Sequence, residues 1–385
     1  MTSRERLLTV IRGEIPDCVP VAPDTSNMIP ARLTGLPFWD IYLYNKVPLW
    51  KAYIDCVKHF GFDSLMDGYF ELCVQDDDKK WMGNWGYMVT DDWEEMIILK
   101  DERRIITQQV VKDTGYKQWT PSVTVYHRDN PPVTVHPSLI GLPLIPEKYE
   151  PVEGKTIWPR DVELLKLAKA EMGDHGLVGA WCGTSMVIGN EEAAGMFMDD
   201  PDPFYERREW FLDFFERRFC KLMELEVRPD FICMGGSGTL IFQTPNMFRE
   251  ISLPVIKKMS ALCKKFGIPS HIHSCGPAAE LVQMVHDETD LTMIDPLEMP
   301  PMGNCNLAEL KKKYGEKLIL KGNLHTTDHL LNGTTETVIN AAKYAIDVAA
   351  YGGKFILSTG DQCGRDTPDE NLFAMIETAR TYGKY

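Results

Sequence analysis

Short apolar runs recur along the chain at intervals that suit a closed parallel sheet. Eight stand out, at residues 19–22, 64–67, 177–181, 231–234, 270–274, 292–295, 318–321 and 354–358. Most are apolar throughout rather than alternating, as strands buried on both faces are. Stretches with helical spacing separate most of them, for example 204–226, 247–266, 307–314 and 335–351. Strand–helix alternation of this kind predicts an α/β fold, a (β/α)8 TIM barrel. A doubly wound open sheet gives nearly the same pattern and stays open as the alternative. The wide gap between the second and third runs has another texture. Residues 96–99, 104–111 and 116–120 read as antiparallel strands, with Asp113-Thr114-Gly115 turning the last pair. Residues 91–135 are therefore expected to form a β-rich insertion within a single domain spanning 1–385. A proline-rich crossing follows from Pro131 to Pro159.

With 385 residues and 44% hydrophobic content, the chain can bury one large core or two moderate ones. It has no repeat, no low-complexity stretch and no apolar run of membrane-spanning length. The polar start Met1-Thr2-Ser3-Arg4-Glu5-Arg6 predicts no signal peptide, so a cytoplasmic location is expected. The ten cysteines are scattered, which favours a reducing compartment and roles in packing or metal binding. A formal net charge of −15 argues against nucleic acid as a partner, because no basic field exists to displace counterions. Membrane association is not expected, and a homodimer is left open.

The candidate chemistry sits at the ends of two of the runs. His273 and Cys275 lie in His273-Ser274-Cys275-Gly276, and Cys363 lies in Gly360-Asp361-Gln362-Cys363-Gly364. Spaced two apart, His273 and Cys275 leave an extended strand on one face. One imidazole and two thiolates suggest Zn2+ with a coordination position left open for chemistry. Taken singly, these would read as a buried histidine beside core cysteines. Their surroundings favour a site. Gly276-Pro277 opens a helical run at 278–286, with Pro277 read as a first-turn proline. Thr367-Pro368-Asp369-Glu370 has the form of a capping box before a helix at 371–381. Both motifs therefore sit at strand-to-helix turns, where a barrel builds its site. Glu298, after the sixth run, is a candidate exchangeable ligand or proton-transfer group, and Asp361 is a weaker one. His271 reads as a packed core histidine. Gly235-Gly236-Ser237-Gly238 lacks the lysine of a P-loop and reads as a loop that lets backbone approach a ligand. Among many aromatic and methionine residues, Trp181 and Met186 are best placed to line a substrate pocket.

Together these motifs resemble the uroporphyrinogen decarboxylase superfamily and, within it, the zinc- and corrinoid-dependent methyltransferases. The resemblance spans nearly the whole chain. It includes Arg4-Glu5-Arg6 with Pro16-Asp17-Cys18-Val19-Pro20, Gly61-Phe62-Asp63, Thr244 to Glu250, Lys321-Gly322-Asn323 and Cys363-Gly364. The His-x-Cys pair with the late cysteine is its specific part. The decarboxylases themselves carry an arginine-rich segment after the first strand to hold porphyrinogen carboxylates. Here residues 21–28 contain no arginine, so that activity is not expected. The resemblance implies that His273, Cys275 and Cys363 ligate zinc. The chain has no Asp-x-His-x-x-Gly cobalamin run, so the corrinoid is expected on a separate protein docking over the barrel mouth. The expected reaction moves a methyl group from a small-molecule donor, a methoxylated aromatic, to that corrinoid. The alternatives are methylcobalamin-to-thiol transfer of the coenzyme M type and a zinc-stabilised or decarboxylase-like protein without methyltransferase activity.

Overall fold

The computed structural model describes residues 1–111, 118–183, 188–236 and 238–385. Seven of the eight apolar runs form parallel ladders. They are β1 (Ser64–Met66), β2 (Gly176–Val178) continued by β3 (Ala180–Trp181), β4 (Ile232–Gly235), β5 (Ser270–His273), β6 (Met293–Asp295), β7 (Ile319–Leu324) and β8 (Phe355–Thr359). Strands β3 to β8 pair in chain order, and β1 pairs with β2. Backbone hydrogen bonds close the rest of the ring. The Gly179 N–H donates to Met66 O at 2.8 Å, which ties β1 to the third stave. Opposite, the Ala22 N–H donates to Leu357 O at 2.8 Å, Leu357 N–H to Pro20 O at 2.9 Å, and Asp63 N–H to Val21 O at 2.8 Å. Residues 20–22 are therefore the remaining stave. It forms only a single parallel bridge, Val21 to Leu357, because Pro20 and Pro23 have no N–H to extend a ladder. The fold is a TIM barrel.

Alternation along the staves divides the apolar side chains into two clusters. Leu65, Leu177, Phe231, Met293, Ile319 and Ile356 fill the lumen, together with Leu7 and Val10 of the helix Ser3–Ile11. Their neighbours Val178, Ile232, Ile272, Ile294, Leu320 and Leu357 belong to the other, larger cluster, with Phe215, Ile256, Val282 and Ala342 from the helices. Three expected helix starts differ in detail. The run 247–266 is two helices, Pro245–Ile251 and Leu253–Phe266, since Pro254 cannot donate back across the junction. Pro277 precedes the Ala278 cap of the helix Ala279–Glu288 instead of opening its first turn. Thr367 falls one position short of capping the helix Asp369–Thr381, whose cap is Pro368, and the Thr367 hydroxyl is buried without a partner.

Between β1 and β2 the chain forms antiparallel sheets. A small one joins Val74–Gln75, Trp81–Met82 and Met88–Val89. A larger one orders Val133–Val135, Trp119–His127, Arg104–Val111, Trp93–Lys100 and Glu150–Pro151. The strand expected at 116–120 instead spans Trp119–His127. Its register slips between the pairs Val110–Trp119 and Gln108–Val123, an irregularity that contains Pro121 and spares the ladder from it. Val123 and Val125 then pack on Ile106. The turn expected at 113–115 lies outside the described residues. Glu150–Pro151 pairs with Met96 and Ile97, so the sheet draws in chain beyond residue 135. Among the described residues, no helix is long and apolar enough to cross a membrane.

Candidate metal centre and cleft

At the C-terminal ends of β5 to β7 the lumen changes from apolar to charged. Asp295, 2% exposed, is shared by two histidines and a lysine. His273 Nδ1 lies 3.0 Å from its Oδ1, His271 Nε2 lies 3.1 Å from the same oxygen, and Lys321 Nζ donates to Oδ2. Burial resists ionisation of Asp295, but Lys321 and the two histidines hold its carboxyl well below the usual range. Burial likewise opposes charge on the rings, yet Asp295 outweighs it and raises both above an ordinary histidine. His271 also meets Asp67 Oδ2 at 3.2 Å and Cys233 Sγ at 3.4 Å. It is the packed, hydrogen-bonded histidine that its position predicts.

With Nδ1 engaged by Asp295, the His273 ring presents Nε2 to the barrel mouth. There the donor atoms of His273, Cys275 and Asp361 all lie within 4.8 Å of one another. The Nε2-to-Oδ1 distance from His273 to Asp361 is 3.6 Å. Asp361 Oδ1 is buried and has no hydrogen-bond partner. A nitrogen, a sulfur and an unsatisfied carboxylate oxygen converging in this way fit zinc, whose tetrahedral ligands sit roughly 3.3–3.7 Å apart. The Asp295–His273 contact is the partner that orients a metal-binding imidazole and raises its basicity. Metal binding there requires Nε2 to be free of a proton. Asp361 adopts φ +96°, a left-handed conformation uncommon for a non-glycine residue. Burial, resisted by His273 and reinforced by Asp24 and Glu298, pushes its carboxyl up to about 6.

Of the three ligands expected from sequence, the structure draws His273 and Cys275 together, and Asp361 lies beside them. Cys363, two residues further on, is fully buried and is not in that group. Its N–H donates to Asp24 O at 2.9 Å, its carbonyl accepts from Ser26 Oγ at 2.8 Å, and burial pushes its thiol up. Glu298 is 6% exposed and accepts a hydrogen bond from the Gly276 N–H. It thereby braces the turn that carries Cys275.

A cleft of about 500 Å³ opens over His273, lined among others by Asp24, Tyr69, Trp85, Trp181, Gly235 and Gln362. Trp181 is thus on the wall, with Trp85 packed on it at 4.5 Å between ring centroids. Met186 lies outside the described residues, as does Ser237 of the glycine loop. Gly235 has φ +109°, and a Cβ there would sit 2.3 Å from His273 O, so only glycine lets the backbone pass. Asp295, Lys321 and Asp24 were not singled out from the sequence. The signals were a His-x-His run on one strand and a lysine closing an otherwise apolar one.

Residues 176–382, more than half of the chain, match the family described as uroporphyrinogen decarboxylase (URO-D). The chain belongs to the uroporphyrinogen decarboxylase family. That segment of the family's fold carries His273, Cys275, Asp295, Asp361 and Cys363. Two curated relatives are named methylcobamide:CoM methyltransferase MtbA, from Methanosarcina acetivorans and Methanosarcina mazei. They are 28% identical over 135 and 137 residues respectively. Each match covers 35% of this chain and 37% of the relative, so the chain spans little more than a third of their length. A solved methyltransferase structure from Methanosarcina mazei superposes with a TM-score of 0.61 over 99% of both chains at 15% identity, which supports the fold.

Proposed function

We propose that this URO-D family member is a zinc-dependent methyltransferase that exchanges a methyl group between a small molecule and the corrinoid of a separate protein. The observation that carries this reading is the convergence of Cys275 and Asp361 on His273, which lines a cleft of about 500 Å³ on the C-terminal side of the barrel. The curated relatives, named for methyl transfer from a methylcobamide, support the same class. His273, Cys275 and Cys363 are the proposed zinc ligands. Bound there, zinc would supply Lewis acidity to an ether oxygen or a thiol sulfur.

The chain's own residues do the rest. Asp295 holds the His273 ring with Nε2 facing the cleft, and Lys321 balances the charge of Asp295. Glu298 fixes the Cys275 turn through the Gly276 N–H. Trp85 and Trp181 offer flat apolar walls on which an aromatic ring can stack. These walls favour a methoxylated aromatic as donor. The methyl group passes to the reduced corrinoid, the C–O bonding pair stays on the phenolate oxygen, and that oxygen then takes a proton. A phenolate leaves more readily than an aliphatic alkoxide, so aryl methyl ethers should outpace methanol. A second reading, methyl transfer from methylcobalamin to a thiol, is favoured by the activity for which the relatives are named.

The test is spectroscopic corrinoid methylation with a Co(I)-loaded corrinoid protein, across aryl methyl ethers, methylamines and methanol, beside the reverse assay with thiols. Methylation from an aryl ether with release of the phenol is expected. Transfer only to a thiol would reverse the direction. Reaction with methanol or an amine alone would overturn the donor. No corrinoid reactivity of either kind would remove the reading altogether.

A further inference from the structure

We infer that Arg218 is the positioning residue that assembles the aromatic wall of the cleft and so selects a flat aromatic donor. This rests on the reading above and deepens its choice of donor. Arg218 lies in the helix Asp202–Glu224. It falls on the stripe that Phe211, Phe215 and Leu222 turn to the core, and it is fully buried. Among the described residues no carboxylate pairs with it. Its guanidinium donates instead to Trp181 O at 2.6 Å, to Asn84 Oδ1 at 2.7 Å and to Leu72 O. Burying a guanidinium against carbonyl dipoles alone carries a desolvation penalty. An apolar side chain would fill the same volume without it, so what the charge contributes is the placement of its acceptors.

Those acceptors stand beside both indoles of the wall. One is the carbonyl of Trp181 itself. Another, Asn84, directly precedes Trp85, and its amide is held further by accepting from the Leu72 N–H at 3.2 Å and donating to Phe70 O at 2.9 Å. The guanidinium therefore joins the end of β3 to both ends of the hairpin formed by Val74–Gln75 and Trp81–Met82. A planar five-donor fork can span those carbonyls, whereas a single ammonium cannot reach them in the same geometry. Two glycines let the parts close up. A Cβ at Gly68 would sit 2.7 Å from Trp181 Nε1, and one at Gly86 would sit 2.6 Å from the ring of Phe211, on the helix that carries Arg218. Trp85 and Trp181 then pack with ring centroids 4.5 Å apart, on the cleft that His273 also lines. None of these contacts involves His273, Cys275 or Cys363, so the wall stands without the metal. It offers stacking to an aromatic ring and little to methanol or a methylamine.

The experiment measures binding of 2-methoxyphenol to the full chain by calorimetric titration, with zinc present and after chelation. The variants are Arg218→Met, Arg218→Lys and Asn84→Ala, with Arg217→Met on the exposed side of the same helix as control. Circular dichroism checks folding, and Arg218→Lys and Asn84→Ala carry the test if Arg218→Met does not fold. The parent should bind the probe in both states. Affinity should fall about tenfold in Arg218→Met, and by less in the other two, while zinc affinity and Arg217→Met stay at the parent values. In corrinoid methylation from an aryl ether, KM should rise with kcat near that of the parent, a split that loss of folded protein would not give. Unchanged aryl affinity in folded Arg218 variants would overturn the assignment, as would an equal loss of zinc affinity. A parent that binds no aryl probe would overturn the wall as an aromatic site, whatever its corrinoid chemistry. A parent that binds the probe in an Arg218-dependent way but shows no corrinoid reactivity would instead remove the methyltransferase reading and leave this inference standing.

Discussion

Asp230, at the end of the barrel opposite the cleft, has a side chain only 8% exposed and is met by four donors. Arg4 reaches it with both terminal nitrogens at 2.9 and 2.7 Å, Lys169 Nζ at 2.8 Å and the Val178 N–H at 2.9 Å. Burial alone would raise its pKa, but Arg4 and Lys169 outweigh that and lower it. The sign for stability follows. A carboxylate whose folded pKa is depressed contributes fully above its unfolded value near 3.9, and that contribution is lost as pH falls through the folded value. Arg4 and Lys169 remain 31% and 24% exposed, so screening and rehydration moderate the loss when the carboxylate is removed. Asp230→Asn should cost about 2–3 kcal/mol in denaturant unfolding at pH 7, and the gap to the parent should narrow below about pH 4. An unchanged gap at pH 3.5 would show that shape, not charge, sets the effect. The same pairing rule governs Asp295, where the paired charges also organise the candidate metal ligand.

At the scale of elements, the β4–β5 pair supports the site through an absent side chain. Gly235 ends β4 at φ +109°, and the next N–H, of Gly236, donates to His273 O at 3.0 Å. Any Cβ at 235 forces the ladder to shift by moving the strand that ends in His273. Gly235→Ala should therefore destabilise by about 1–3 kcal/mol and lower zinc occupancy, read by calorimetric titration. Gly195→Ala is the matched control. It lies exposed in the helix Glu191–Asp199 with nothing within 4 Å of a new Cβ, and it should stabilise by about 0.5–1 kcal/mol. Equal effects at the two positions would refute the account of Gly235.

At the scale of the molecule, the barrel is closed without the site. Asp63 is fully buried and takes Arg6 Nη1 at 2.7 Å, Arg380 Nη1 at 2.8 Å and the Val21 N–H at 2.8 Å. One carboxylate thus ties the first helix, the last helix and the irregular stave at 20–22 together. The candidate ligands hang from strand ends above a packed lumen, so the fold does not depend on them. Chelation should remove the metal and leave the far-UV circular dichroism and the cooperativity of unfolding in place. The melting temperature should fall only by the ligand-binding increment. Loss of secondary structure on chelation would mean that the metal is structural.

Much of this architecture was legible in the linear pattern for a simple reason. A barrel strand buried on both faces must be apolar along its length, so seven staves and the bridging run at 19–22 announce themselves. The short spacing at the end of one stave likewise keeps His273 and Cys275 close, although β5 ends at His273 and Cys275 lies on the turn beyond it. Local chemistry was less reliable where prolines sit. Pro121 masked the strand Trp119–His127, because a register slip removes it from the ladder, and Thr367 resembled a cap one residue too early. What the linear pattern could not carry was the meeting of side chains from different staves. Asp295 lies 22 residues from His273 and 26 from Lys321, and only the inter-strand register makes them one charged group. The approach of Asp361 to His273 and Cys275 is set the same way. Residues 361 and 363 share one turn, and the sequence favours the cysteine. The left-handed bend at Asp361 brings its carboxylate near His273 and Cys275, while Asp24 and Ser26 hold Cys363 in the same turn.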